Sequence, residues 1–512
     1  MQRALVDHGP RRNCGAAREC AAPGRFALVR SFAGVALASL ALASVPALAG
    51  PASVNPDAIA DGGPQADQGI QAQPVGQWTG VWTRSSLLGD MGGLRSWMAR
   101  RGVSLNATEV SEYLYNTRGG LQTGGTYDGL TTITLGVDGQ KAFDLPGGLF
   151  NASLLQIHGR NLSEYDVGSL NTSSGIEAQD TTRLWELWYQ QSFFDQKADI
   201  RFGQQSLDQE FMVSSYAGTF VNTMFGWAGL PSYGLPSGGP AYPLSALGVR
   251  VKAQFGPSLT ALAGVYDGNP LGNNPDNLRG TNFNVHNGAL TIAELQYSIN
   301  KPANSEMVEP GQGGLPGTYK LGFWYNNANP FNDQLYDNTG RSLANPASSR
   351  VPLIYTNNYS WYAVADQMVW RPNPEEPRSI GVFARVMGAP GDRNLVSLSA
   401  NAGVVMAAPF EGRDNDTAGI GLAYIKIGSH AHELALQDAV LTSSGVNGVP
   451  YGAAASETAL ELTYQYQVTP WWVVQGDLQY TLNTGAGLRN PNNPARALGN
   501  ALVAGVRTTI TF

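Results

Sequence analysis

From about residue 103 to the end of the chain, apolar and polar residues alternate along successive short segments. In 459–468, for example, one parity carries Leu460, Leu462, Tyr464, Tyr466 and Val468, and the other carries Glu461, Thr463, Gln465 and Gln467. A period of two predicts β-strands whose two faces meet different surroundings. Because a soluble β-sandwich shows the same alternation, the pattern predicts strands without placing them in a membrane.

The links between these segments alternate in length. Tight turns are predicted at 144–148, 194–198, 255–258 and 468–471, and long links at 116–129, 161–180, 206–245, 267–288 and 484–500. Bacterial outer-membrane barrels sort their links in this way, with short periplasmic turns and longer extracellular loops, whereas a sandwich has no reason to do so. Two links on the short side, 300–317 and 407–416, are less tight, so the sorting is a tendency.

Strand spacing and composition then define the fold class. A spanning strand takes about 9–11 residues, so the region from 103 to 512 has room for about 16 of them. Charged residues are 14% of the chain, against roughly 25% in soluble domains, and past residue 49 no apolar run is long enough for a spanning helix. We therefore predict an all-β protein, a transmembrane antiparallel β-barrel of about 16 strands with a short N-terminal helical segment.

The N-terminal part divides into three predicted segments. Residues 1–49 combine a basic region, an apolar run and the small-residue end Ala47–Ala49, which predicts a secretory signal peptide; a membrane anchor is the alternative. Residues 50–76, rich in Pro, Gly and Gln, predict a disordered periplasmic lead-in. Residues 77–102 form the predicted short helical segment, and 103–512 the barrel.

Removal of the predicted signal changes both cysteine content and charge. Both cysteines, Cys14 and Cys20, lie within it, so the mature chain is expected to have no disulfide. The remaining 26 basic and 37 acidic residues give a net charge of −11. Such an acidic exported protein is a poor candidate for binding nucleic acid or for an anion-collecting pore.

Selectivity in a barrel of this size must come from what lines or narrows its lumen. The long link 206–245 contains Gly, Pro and several aromatic residues, and we expect it to fold inward and narrow the pore; an external flap is the alternative. On the strand 183–191, parity assigns Trp185, Leu187 and Tyr189 to the lipid side and Leu184, Glu186, Trp188 and Gln190 to the lumen. The indole of Trp188 and the carboxylate of Glu186 suit a pyranose ring and its hydroxyls.

The same parity places further charged residues in the lumen. The predicted pore-lining set is completed by Arg201, Arg250, Lys252, Glu294 and Glu112. These side chains either contact a passing solute or are simply solvated. Cofactor and metal sites are not predicted, since the pair His430 and His432 and the stretch 414–416 lack the further ligands that a site needs. An outer-membrane lipase would need a Ser–His pair, for which His158, assigned to the lumen parity, is the one tempting base.

Several stretches in order along the chain resemble the carbohydrate-selective porin family, of the glucose-porin type. They are LLGDMGGLR (87–95), TTRLWELWYQQ (181–191), FGQQSLDQEF (202–211), FVNTMFG (220–226), GPAYPLSALGVRV (239–251) and ELTYQYQVTPWWVVQGDLQY (461–480). One departure is Gly476, where similar proteins usually carry Pro.

The resemblance implies a Gram-negative outer-membrane porin, not an enzyme, that lets monosaccharides such as glucose diffuse passively and selectively into the periplasm. A general, non-selective diffusion porin is the alternative. The expected partners are sugars, outer-membrane lipid and, through the terminal Phe512, the barrel-assembly machinery. The last strand is expected to close the ring against the first, with Phe512 facing lipid; the protein is either a homotrimer or a monomer.

Overall fold

The computed structural model describes residues 80–272, 277–300, 314–328, 330–374, 376–442, 455–487, 489–490 and 493–512. The predicted signal peptide (1–49) and lead-in (50–76) lie outside these residues. The strands are β1 (Val103–Gly120), β2 (Gly124–Asp138), β3 (Gly148–Gly159), β4 (Thr181–Phe193), β5 (Ala198–Gln205), β6 (Ala246–Phe255), β7 (Leu259–Asp267), β8 (Ala289–Ile299), β9 (Gly317–Asn326), β10 (Phe331–Asp337), β11 (Pro352–Tyr355), β12 (Asn358–Trp370), β13 (Ser379–Gly388), β14 (Val396–Ala407), β15 (Thr417–Ile427), β16 (Ser456–Thr469), β17 (Trp472–Leu482), β18 (Arg489–Asn490), β19 (Asn493–Ala497) and β20 (Gly499–Thr511).

Sixteen of these strands form one closed antiparallel barrel. Each pairs with its neighbours in chain order, while β10 with β11 and β18 with β19 form two-stranded sheets outside the ring. Closure comes from β1 and β20, which pair from Thr108↔Thr511 to Gly120↔Gly499. The predicted barrel of about 16 strands is thereby confirmed, and its first and last strands are the ones that meet.

In the described residues the helices are short; two helical segments precede β1, and the others lie between strands. The α-helices are Leu94–Ala99, Gly139–Phe143, Gly229–Gly234 and Ser429–Thr442; the 3₁₀ segments are Met91–Gly93, Leu207–Gln209, Ala217–Thr219, Thr223–Phe225, Pro236–Gly238 and Thr484–Gly487, and Ser163–Val167 is a π-turn. Among the described residues, no helix has the length and apolar character needed to cross a membrane.

The two strand faces differ as the alternation predicts. On β20, Val506 points outward and is 52% exposed, whereas its neighbour Arg507 points into the barrel and is 1% exposed. Outward positions elsewhere carry large apolar side chains such as Leu321 and Phe323. Polar side chains therefore line the interior, and apolar ones form the outer wall.

The N-terminal segment packs against the barrel seam. The backbone N–H of Leu87 donates to the Thr511 carbonyl (2.8 Å), and the Trp471 indole N–H donates to the Val81 carbonyl (2.6 Å). Arg95, in the helix Leu94–Ala99, donates to the Phe512 carbonyl oxygen. The stretch 87–95 thus holds the end of the last strand at the periplasmic side.

Two local predictions were wrong. The link predicted at 116–129 is mostly strand, because β1 and β2 remain paired as far as Asn116↔Gly124. In β4, a bulge lies opposite Ser153 and Leu154, and it reverses the parity of the residues before Glu186. Trp185 is consequently buried inside rather than facing lipid, and Leu184 pairs with the outward-facing Leu154 instead of facing the lumen.

Candidate functional site

The long loop 206–245 leaves β5, crosses the barrel interior and returns to β6. Its first contacts on the far side are with Asp366 of β12, whose carboxylate accepts from the Ser214 hydroxyl (2.5 Å) and the Ser215 backbone N–H (3.0 Å). Further along, Glu461 of β16 accepts from the backbone N–H groups of Val221 (2.6 Å) and Asn222 (3.0 Å). A loop bonded to strands on the opposite wall is an inward loop and not an external flap.

Arg385 of β13 makes the largest set of contacts with this loop. Its guanidinium, 2% exposed, donates to the backbone carbonyls of Met212 (3.0 Å), Met224 (2.6 Å), Phe225 (3.0 Å) and Gly226 (2.7 Å). The Arg385 guanidinium thereby binds two separate turns of the loop. Hydrogen bonds from a charged donor are the strong ones, so this residue fixes the position of the loop in the lumen.

Aromatic packing completes that attachment. Phe220 and Phe225 of the loop stack with their ring centroids 4.4 Å apart, and Phe383 of β13 packs against both. Close by, a Cβ on Gly381 would lie 2.1 Å from the Tyr216 ring. The wall therefore needs glycine at this point for the loop to approach so closely.

A second loop, 161–180, also folds inward, and the sequence did not predict it. All residues from 169 to 178 are buried. Glu457 of β16 accepts from the backbone N–H groups of Leu170 (3.0 Å) and Asn171 (2.5 Å), and the two loops meet where the Thr223 N–H donates to the Thr172 carbonyl (3.0 Å). The interior is thus filled by two loops that brace each other.

Glu186 and Trp188 point into the barrel, as their parity predicts, and both are nearly buried. The Glu186 carboxylate accepts from the backbone N–H of Ser206 (3.0 Å), the residue at which the long loop begins. The Trp188 ring is covered on one face by the Arg201 guanidinium, 4.0 Å from its centroid. Each residue therefore has a partner within the protein before any solute arrives.

Arg201 and Arg250 belong to one buried charge network on β5 and β6. Arg250 donates to both carboxylate oxygens of Glu210 (2.7 and 2.6 Å) and pairs with Asp199, while Arg201 lies 3.5 Å from Glu210. Burial acts to raise the pKa of Glu210, but the nearby Arg201 and Arg250 outweigh it and lower the pKa from 4.5 to about 2. Lys252 adds to the same field and lies opposite Asp199 in the strand pairing.

Glu294 and Glu112 also face the interior but lie apart from this network. Glu294 accepts from the Met212 backbone N–H (2.8 Å), so it holds the long loop. Glu112 pairs with Arg507 (3.0 Å) and with the Ser174 hydroxyl, so it holds the second loop. In the structure, five of the seven predicted residues lie together: Glu186, Trp188, Arg201, Arg250 and Lys252. Glu210 and Asp199 belong to the same network. They were not predicted, because the parity within one strand does not show which side chains on different elements meet.

His158 and His430 lie on different elements and bind different partners. His158 lies on the outward face of β3, with its Nε2 atom 3.2 Å from the Tyr127 hydroxyl, so its assignment to the lumen was wrong. His430, in the helix Ser429–Thr442, lies 2.9 Å from the Asp333 carboxylate of β10. Within the described ranges, no group of three or more His, Cys, Asp or Glu residues is placed to hold a metal ion.

Comparisons with known proteins agree with this geometry. A family model described as "Carbohydrate-selective porin, OprB family" matches residues 122–512. The chain is similar to Porin B of Pseudomonas aeruginosa (28% identity; 83% of this chain and 91% of that protein) and to the putative porin QuiX of Acinetobacter baylyi (25% identity; 84% and 93%). Its fold is similar to the high-pH structure of Pseudomonas putida OprB, with a TM-score of 0.73, 24% identity, and coverage of 84% of this chain and 99% of that one.

The barrel, its polar interior with inward loops, and a family match over most of the chain agree with one another. They describe a multi-pass β-barrel of the outer membrane, a channel rather than an enzyme. The chain belongs to the OprB family of carbohydrate-selective porins.

Proposed function

We propose that this porin lets monosaccharides such as glucose diffuse passively and selectively into the periplasm. The observation that carries the proposal is the pair of inward loops, whose buried residues fill much of the barrel cross-section and are fixed by charges on the far strands. A filled lumen leaves room for small solutes only. A general diffusion porin has less need of a constriction built from aromatic and charged groups.

The sugar path is proposed to follow the wall formed by β4, β5 and β6. Arginines and carboxylates there offer both donors and acceptors to hydroxyl groups, and Lys252 is the partly exposed member of the set. Glu186 and Trp188 shape this wall by holding Ser206 and Arg201 in place. Glu294 and Glu112 act on the path through the loops that they hold.

Single-channel recording on the purified protein tests the function. Graded glucose, arabinose and sucrose are added while ion current is measured, and liposome swelling with the same sugars gives their permeation rates. We expect block of the current by the monosaccharides and slow permeation of sucrose. Equal permeation of all three sugars without block would indicate a general porin, and absence of conductance would indicate a structural or adhesive protein.

Export and assembly form a separate proposal. We infer cleavage after Ala49 and delivery of Phe512 to the barrel-assembly machinery, since the chain is an outer-membrane protein with a signal-like N-terminus. N-terminal sequencing of outer-membrane material should begin near Gly50. Recovery of residues 1–30 in the mature protein would contradict the cleavage.

A further inference from the structure

Residues 80–102, which we call the rim segment, precede β1 and expose large apolar side chains. Trp82 is 67% exposed, Trp97 48% and Leu94 43%. Leu94 and Trp97 are three residues apart in the helix Leu94–Ala99, so they lie on one face of it. All six residues of this helix belong to the described part of the chain, and none of them is buried. Because so short a helix is unstable alone in water, its apolar face needs a surface to lie against.

Hydrogen bonds place the rim segment at the periplasmic end of the barrel wall. Its backbone bonds to Thr511, at the end of β20, and to the indole of Trp471, in the turn before β17. The Trp471 ring stacks on Trp472, with the centroids 6.0 Å apart. The Trp472 indole in turn donates to the hydroxyl of Thr508 (2.8 Å), which is on the outward face of β20. The rim segment is therefore continuous with the lipid-facing wall.

Exposed aromatic residues mark the depth of this end of the wall. The periplasmic turns carry Phe143 (68% exposed), Phe194 (78%) and Phe410 (60%). The carbonyl of Gly102, where the rim segment ends, accepts from the Asp138 N–H (2.7 Å), directly before the helix Gly139–Phe143. Aromatic rows of this kind lie where the apolar band of an outer-membrane barrel meets the lipid headgroups. The rim segment thus lies at headgroup depth.

The charge of the rim segment is opposite to that of the protein. Residues 80–102 contain four arginines and one aspartate, a net charge of +3, whereas the whole chain carries −7. Arg100 and Arg101 are both exposed, and the Arg101 guanidinium lies over the Trp97 ring, 4.2 Å from its centroid. The single carboxylate, Asp90, accepts from the backbone N–H and the hydroxyl of Ser96 (2.7 and 2.8 Å). Cations beside an apolar face suit an anionic surface with an apolar interior.

We propose that the rim segment is an interfacial anchor that binds anionic phospholipid of the periplasmic leaflet. The face formed by Leu94 and Trp97 enters the boundary between headgroups and acyl chains, as amphipathic helices with tryptophan on one face do. Arg100 and Arg101 bind the phosphate groups, whose oxygens match the paired N–H donors of a guanidinium. The anchor thereby holds the seam between β1 and β20 at one depth in the membrane, independently of which solute passes through the pore.

The depth of a spin label tests the anchor. The mature chain is predicted to contain no cysteine, so Leu94→Cys introduces one thiol and keeps Trp97 and both arginines. In vesicles of phosphatidylethanolamine and phosphatidylglycerol, we expect molecular oxygen to relax this label more than a water-soluble nickel complex does. Leu321→Cys on the apolar wall and Ala347→Cys in an exposed turn give the lipid and water references. A label at position 94 that behaves like the one at position 347 would overturn the proposal and leave the face free for a periplasmic protein.

Native mass spectrometry of the purified porin tests the choice of lipid. With added phosphatidylglycerol, the double substitution Arg100→Gln and Arg101→Gln should lower the lipid-bound fraction at least fivefold, while single-channel conductance stays at the wild-type value. Arg341→Gln with Arg350→Gln is the matched control, because these two arginines are also exposed but lie between β10 and β11. The wild type should retain less phosphatidylcholine, which has no net charge. Equal retention of phosphatidylglycerol by the wild type and the Arg100/Arg101 variant would overturn the assigned lipid contacts.

Discussion

Arg385 on the far side of the lumen and Arg250 on the near side are both buried, yet they bind different kinds of partner. Arg385 donates to the Asn401 side chain and to four backbone carbonyls of the long loop, whereas Arg250 donates to the side chains of Glu210, Asp199 and Gln190. The backbone carbonyls bound by Arg385 have fixed positions once the loop is folded. The side-chain acceptors bound by Arg250 can instead accept a hydrogen bond from a sugar hydroxyl in place of an arginine. We therefore propose that the far wall sets the width of the pore and that the near wall recognises the solute.

Substitution of Arg385 by Leu should have the largest effect. It leaves four buried carbonyls without their donor, and each buried acceptor left unsatisfied costs about 1–3 kcal/mol. We expect higher single-channel conductance, faster entry of sucrose and a lower temperature at which the folded barrel loses its faster mobility on SDS gels.

The matched control is Arg378→Leu, because Arg378 donates to a single carbonyl, that of Ala408 in a turn (3.1 Å). Its conductance should equal that of the wild type. If Arg385→Leu also kept wild-type conductance while folding normally, the far wall would not determine the pore width.

A smaller effect on the same wall is expected from Glu461→Gln. The two carboxylate oxygens of Glu461 each accept a backbone N–H, from Val221 and Asn222, and an amide offers only one acceptor and a competing donor. Loss of one such charged hydrogen bond costs roughly 1.5–3 kcal/mol. Channel recordings should show a noisier open state with a modest rise in conductance, and Glu411→Gln in an exposed turn should show neither.

The features that could be predicted from the sequence are those that lipid and water impose on the two faces of the barrel wall. Lipid on one side and water on the other require alternation, so the inward positions of Arg250 and Glu294 follow from parity alone. Where that requirement ends, prediction fails. Beyond the membrane, β1 and β2 continue as a hairpin without clean alternation, and the predicted link at 116–129 was wrong for that reason.

Other features could not be predicted because they depend on contacts between parts of the chain that are distant in sequence. The bulge at Trp185 lets its indole pack against Tyr242 of the long loop, with ring centroids 6.4 Å apart, and no local pattern encodes that contact. The inward course of 161–180 depends on Glu457, almost 290 residues away from Leu170 and Asn171. A loop of Ser, Asn and Gly carries no periodic signal, so only its length could be predicted.

On the near wall, Glu210 should give a pH-dependent contribution to stability. Its pKa is about 2 in the folded protein and 4.5 ordinarily, so its ion pairs stabilise the fold fully above pH 4.5 and lose this contribution as the pH falls toward 2. The stability difference between the wild type and Glu210→Gln should be constant from pH 7 to about 5 and should shrink below that. Thermal denaturation at pH 7, 4 and 2.5 measures it, and a difference as large at pH 2.5 as at pH 7 would contradict the assigned ion pairs.

The smallest effect is expected from Trp188→Ala, and it tests whether the near wall recognises sugar. The indole is 4% exposed and one of its faces lies against Arg201, so it acts mainly by positioning that guanidinium. A cation–π contact of this kind is worth about 1 kcal/mol, and loss of that amount corresponds to a fivefold change in affinity. Glucose block of the ion current should therefore require about fivefold more sugar, with conductance similar or slightly higher.

Leu187→Ala, next in sequence and 46% exposed on the outer face, should leave the block unchanged. If Trp188→Ala and Glu186→Gln both keep full glucose block, the sugar contacts lie on the loops held by the far wall, and the division between the two walls does not hold.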